Sequence, residues 1–170
     1  MCGNGYPACR RRSTPHHRMQ QMSKTLNYGQ PVTLAAAKHI AAAVESVGHE
    51  RGLKLVVTVL DSAAQIVLVH RMEHANYGSL AFAFEKARTA VNFKRPSKFF
   101  EDMVAGGGSG LRMLGNAHVS PLEGGAPIVA GDAVLGSIGV SGATSAEDGE
   151  LANLALEAFQ DWAAQKAGRA

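Results

Sequence analysis

Residues 53–72 read LKLVVTVLDSAAQIVLVHRM, and the way this stretch folds back on itself decides the class of fold. Its first half, ending at Asp61, is apolar without alternation, as in a central strand covered on both faces. Its second half, ending at Arg71-Met72, is again rich in β-branched residues. Only Asp61-Ser62-Ala63-Ala64 joins the two. A connection this brief has no room for a crossover helix, so the two strands should pair antiparallel as a hairpin.

Working outward from the hairpin, the preceding segment PVTLAAAKHIAAAVESVGHERG predicts a helix over residues 34–51. Thr33 suits its N-cap and Gly52 its stop, and Ile40, Val44 and Val47 make one apolar stripe. On the other side, Tyr77–Phe93 predicts a second helix. Leu80, Phe84, Ala87 and Val91 repeat at helical spacing, and Phe82, Lys86, Thr89 and Phe93 repeat on a separate face. The first face should cover the sheet; the second must meet a pocket, another helix or another subunit. A short helix near Pro96 and a glycine-rich loop over residues 105–125 follow. PIVA and AVLGSIGVSG then form a second hairpin around Gly131-Asp132. Thr144-Ser145-Ala146-Glu147 is a capping box that opens the last helix. Two hairpins with helices between them predict an α+β fold, a three-layer sandwich around a mainly antiparallel sheet.

Composition limits the function. The chain has 170 residues, which suits one domain. Its net charge of +3 arises from a basic segment before residue 22, so the body is close to neutral. No basic stripe interleaved with aromatics is present, which argues against nucleic acid. No apolar run is long enough for a membrane span or signal peptide. The two cysteines, Cys2 and Cys9, both lie in the basic segment. Their spacing to His16 and His17 matches no zinc pattern, so no metal is expected. Residues 1–21 are expected to be a disordered, dispensable extension, and residues 22–170 a single cytoplasmic domain.

Candidate chemistry gathers at the end of the first hairpin. Arg71 offers a rigid fork of donors suited to carboxylate. Lys86, flanked by Phe82 and Phe93, must pair, shift its pKa or reach water. With Thr89 it can join Arg71 in holding a small anionic ligand; an ion pair with Glu73 or Asp61 is the structural alternative. Asp61 can instead cap its own turn. Glu123, Glu73 and His74 are candidate proton carriers, with Lys86 as a further catalytic group. Glu123 precedes Gly124 and Gly125, where backbone can approach a ligand closely. His70 reads as a core or interface residue. No P-loop or nucleophile elbow is present.

Several stretches together resemble the GlcG/HbpS-like family, which includes the PduO C-terminal domain. They are VVTVLD, the Arg71-Met72 strand end with Ser79 after it, EKARTAVNFKRPS, GGAPIV and VLGSIGVSGATSAEDGELA. They run in the family's order over about residues 33–164. The resemblance implies a profilin-like fold and homo-oligomers. It implies either haem binding or enzymes on small acids of aromatic catabolism, such as muconate-type ring-cleavage products. The chain departs from the family pattern at two turns. Ala64 stands where the hairpin pattern has glycine, and Glu73-His74 stands where Asp-Gly follows the Arg-Met pair. The acid–base groups at the second turn favour an enzyme, a lyase, hydrolase or dehalogenase acting through an enolate held by Gly124 and Gly125. The alternative is a haem-binding or haem-sensing protein with His39 as axial ligand and His49 as second choice. A subunit of an assembly without chemistry of its own is a third reading.

Overall fold

The structure is a computed structural model that describes residues 26–168. The expected extension over residues 1–21, with its cysteines, lies outside the described residues. The elements run β1 (Asn27–Tyr28), α1 (Leu34–Glu50), β2 (Val56–Asp61), β3 (Ile66–Arg71), α2 (Tyr77–Phe93) and α3 (Lys98–Ala105). A 3-10 segment (Gly108–Gly115), β4 (Gly125–Ala130), β5 (Ala133–Ser141) and α4 (Ser145–Ala167) complete the chain. No described helix is long and apolar enough to cross a membrane.

Both expected hairpins form, and both are antiparallel. Strand β5 lies between β2 and β4, and β3 lies outside β2. The short β1 runs parallel to the start of β5. The fold is therefore α+β with a mainly antiparallel sheet. Strand β2 explains the layers. Val57 and Val59 face the main core, with Ile40 and Val44 of α1 and Leu151 and Phe159 of α4. Val56 and Leu60 face the other way, toward Ala83, Ala87 and Val91 of α2. Ile40 and Val44 are fully buried, a burial that contributes about 1.5–3 kcal/mol for each side chain.

Helix α2 covers the sheet with most of the expected stripe: Ala87 and Val91 are fully buried and Phe84 packs against the same cluster, while Leu80 turns outward. Leu80 is 45% exposed, and the buried positions are mainly the small ones, including Ser79, Ala83, Ala87 and Ala90. The reason lies in the strands below. A Cβ on Gly139 would come within 2.0 Å of the Ala83 carbonyl oxygen, and one on Gly125 within 2.2 Å of the Lys86 carbonyl oxygen. The helix backbone thus rests directly on strand glycines at these two points. Ser137 Oγ donates to the Ala87 carbonyl at 2.8 Å and fixes the contact.

The first hairpin turns without a glycine. Asp61 Oδ1 accepts from the backbone N–H of Ala63 at 2.8 Å and of Gln65 at 2.9 Å, so Asp61 caps its own turn. Ala64 takes φ +62°, and His74, at the other departure from the family pattern, takes φ +64°. Both non-glycine residues therefore sit in the left-handed region. For Ala64 that conformation costs about 1–2 kcal/mol, against glycine's entropic cost of about 0.5–1 kcal/mol. Ala64→Gly should raise the unfolding free energy by about 0.5–1 kcal/mol. Equilibrium denaturation checks this, and an unchanged or lowered stability contradicts it.

Candidate functional site

Lys86 sits on the sheet-facing side of α2 and is 2% exposed. Its Nζ donates to Asp148 Oδ2 at 2.7 Å and to the Val140 carbonyl at 3.1 Å. The partner is thus neither Glu73 nor Asp61 but a residue in the first turn of α4, on the opposite layer. Asp148 is placed there by the capping box: Thr144 and Glu147 bond reciprocally and start the helix. Asp148 Oδ1 accepts from Ala143 N–H at 3.1 Å. Burial pushes the Asp148 carboxyl above its ordinary range, against the opposing pull of its hydrogen bond to Lys86 and of that ammonium's charge. Gly124, at φ +121°, closes over the pair; a Cβ there would lie 3.0 Å from Lys86 Nζ.

Four predicted site residues therefore come together: Glu123, Gly124, Gly125 and, behind the glycines, Lys86. The first three line a cleft of about 320 Å³ between α3 and α4, together with Lys98, Phe99 and Asp102. Gly125 N–H is engaged by Ser97 Oγ at 2.9 Å, so it is not an open oxyanion donor. Glu123 N–H donates to Glu101 and to Ser145 Oγ. Lys98 bonds Asp102 at 2.7 Å, and that hydrogen bond raises its pKa. Lys98, Asp102 and Asp148 were not singled out from the sequence. Only the capping box marked the place of Asp148.

Arg71, Glu73 and His74 form a separate group at the β3–α2 joint. All three are exposed. Arg71 stands 5.4 Å from the Tyr77 ring. It pairs in register with Val56, which pairs with Ser141. Two strand spacings, about 10 Å, thus separate it sideways from the strand whose carbonyl binds Lys86. Thr89 is buried, and its Oγ1 accepts from Ser120 N–H at 2.8 Å, so it braces the loop. The two-point anchor of Arg71 and Lys86 is not assembled.

The histidines differ in their surroundings. His70 Nδ1 lies 2.7 Å from Glu45 Oε1 across the α1–β3 contact. His39 and His49 are exposed on α1, and His118 is exposed in the loop before β4. Among the described residues, no three His, Cys, Asp or Glu side chains gather to hold a metal ion.

The family model described as haem degrading protein HbpS-like matches residues 32–157. A 15.0 kDa protein from the dhaT–dhaS intergenic region of Citrobacter freundii is 34% identical over 132 residues, 76% of this chain and 93% of that protein. The crystal structure of Klebsiella pneumoniae ORFY matches at 33% identity with a TM-score of 0.72, covering 79% of this chain and 94% of that one. The PduOC–haem complex matches at 24% identity with a TM-score of 0.68, covering 75% and 94%, and at that identity shows the fold alone. These matches overturn the expected enzyme of muconate-type acids working by enolate chemistry, because the matched family is described by haem. The charges agree with the correction. A dicarboxylate entering the cleft would meet Glu123 and Asp102, with Lys98 already bonded.

Proposed function

The chain belongs to the HbpS-like family, and from that membership we propose that it binds haem, with His39 as the axial ligand. The observation that carries the choice of ligand is the surface around His39. The residues three and four positions before and after it are Ala35, Ala36, Ala42 and Ala43. On a helix these are its neighbours: Ala35 and Ala42 are exposed beside the imidazole, Ala43 is half-buried, and Ala36 turns into the core. The small exposed side chains leave room for a planar macrocycle beside the ring. Among the described residues no hydrogen bond engages the ring, which leaves a nitrogen lone pair for iron. Exposed Lys38 beside it supplies a charge for the carboxylates of the group. His70 fits less well, because Glu45 already holds one of its nitrogens. When bound, haem supplies an iron centre whose axial ligand tunes its potential.

Titration of the protein with ferric haem, followed at the Soret band, should saturate. His39→Ala should weaken binding tenfold or more, about 1.4 kcal/mol, while His49→Ala titrates like wild type. A His39→Ala variant with unchanged affinity contradicts the ligand assignment, and a wild-type protein without saturable haem binding contradicts the reading itself.

Self-association belongs to the same reading. Tyr77 is 87% exposed, Phe82 50% and Leu80 45%, which leaves large apolar side chains outward along the first turns of α2. Contact with a second copy would remove that area from water. Sedimentation at micromolar concentration should therefore show a species larger than the monomer, and a single monomeric boundary contradicts it.

A further inference from the structure

The cleft between α3 and α4 has a chemistry of its own. Among the described residues no histidine lines it, and His39 lies elsewhere, on α1. Its volume of about 320 Å³ falls at the small end of ligand pockets, about 300–1,000 Å³. Pro96 and Phe99 give it an apolar wall, and Gly124, Gly125 and Gly149 a floor without side chains.

Glu123 is the carboxylate that this cleft answers weakly. Its side chain is 21% exposed and meets one cation, Lys98, at 3.7 Å. Among the described residues no hydrogen bond reaches its carboxylate; both bonds of Glu123 are made by its backbone N–H. The carboxylate lies pressed over Gly149, where a Cβ would come within 2.3 Å of Oε1. A carboxylate has about four lone-pair sites, and a largely buried one without donors is costly. Lys98 stands beyond hydrogen-bond distance of Glu123, with its ammonium drawn to Asp102 at 2.7 Å. The charged side chains lining the cleft are Glu123 and Asp102 against Lys98, an excess of negative charge beside an apolar wall. Among the described residues no three His, Cys, Asp or Glu side chains gather to hold a metal ion, and the apolar wall suits the hydrocarbon part of an organic cation.

We propose that this cleft binds a small organic ammonium ion, whose N–H groups donate to Glu123 and whose hydrocarbon part lies against Phe99 and Pro96. The charge balance selects against the carboxylate of equal size, and the glycine floor admits the ligand close to the β4 backbone.

Calorimetric titration of the full chain with n-butylammonium, butyrate and n-butanol tests the assignment, with and without added haem. Butylammonium should bind saturably, butyrate should not, and the result should be the same in both haem conditions and in His39→Ala. Glu123→Gln, which keeps shape and removes charge, should weaken butylammonium tenfold or more. Lys98→Ala, which removes the competing cation, should tighten it several-fold. The proposal is overturned if butylammonium shows no saturable binding, if butyrate binds as well or better, or if Glu123→Gln leaves the affinity unchanged.

Discussion

The bond between Lys86 and Asp148 depends on how closely α2 sits on the sheet, and much of the remaining structure depends on that bond. With side chains at positions 125 and 139, the helix would have to rise, because a Cβ at either place would overlap its carbonyl oxygens. Seated on the glycines, α2 brings the Lys86 ammonium past the edge of β5 to the start of α4. Two layers on opposite faces of the sheet are joined at one point. Burying two charges costs several kcal/mol for each ion. The cost is offset only because the short contact is supplemented by Val140 O on one side and Ala143 N–H on the other.

The same arrangement shapes what the surface can do. Gly124 caps the ion pair on its inner side and floors the α3–α4 cleft on its outer side. A lysine that reads in sequence as a ligand anchor is thus committed to the fold, and the cleft in front of it is left with excess negative charge. That electrostatic balance turns the cleft away from small acids.

Local signals in the sequence located the elements well. The brief Asp61–Ala64 connection, the Thr33 cap and the Thr144–Glu147 box each act within a few residues, and each is present in the structure. What the sequence hid was long-range. Lys86 and Asp148 are separated by 62 positions, and neither residue's neighbours name the other. The outward turn of Leu80, at the start of an apolar stripe that otherwise covers the sheet, was hidden for the same reason. The seating of α2 is set by glycines on β4 and β5. Loop 105–125 contains an aperiodic 3-10 segment that no helical or strand period could reveal. The two turns that depart from the family pattern were read as chemistry at Glu73-His74. There the backbone sets His74 in the left-handed region, and its first role is to turn the chain.

A double-mutant cycle on Lys86 and Asp148 tests most directly whether this pair belongs to the fold. Lys86→Met keeps a long side chain without charge, and Asp148→Asn keeps the acceptor for Ala143 N–H. Each single variant leaves one buried charge unanswered and should lose about 3–5 kcal/mol in equilibrium denaturation. The double variant should recover much of that loss, with a coupling of about 2–3 kcal/mol. Single variants within about 0.5 kcal/mol of wild type, or losses that simply add, would contradict a structural ion pair and return Lys86 to the list of groups available to a ligand.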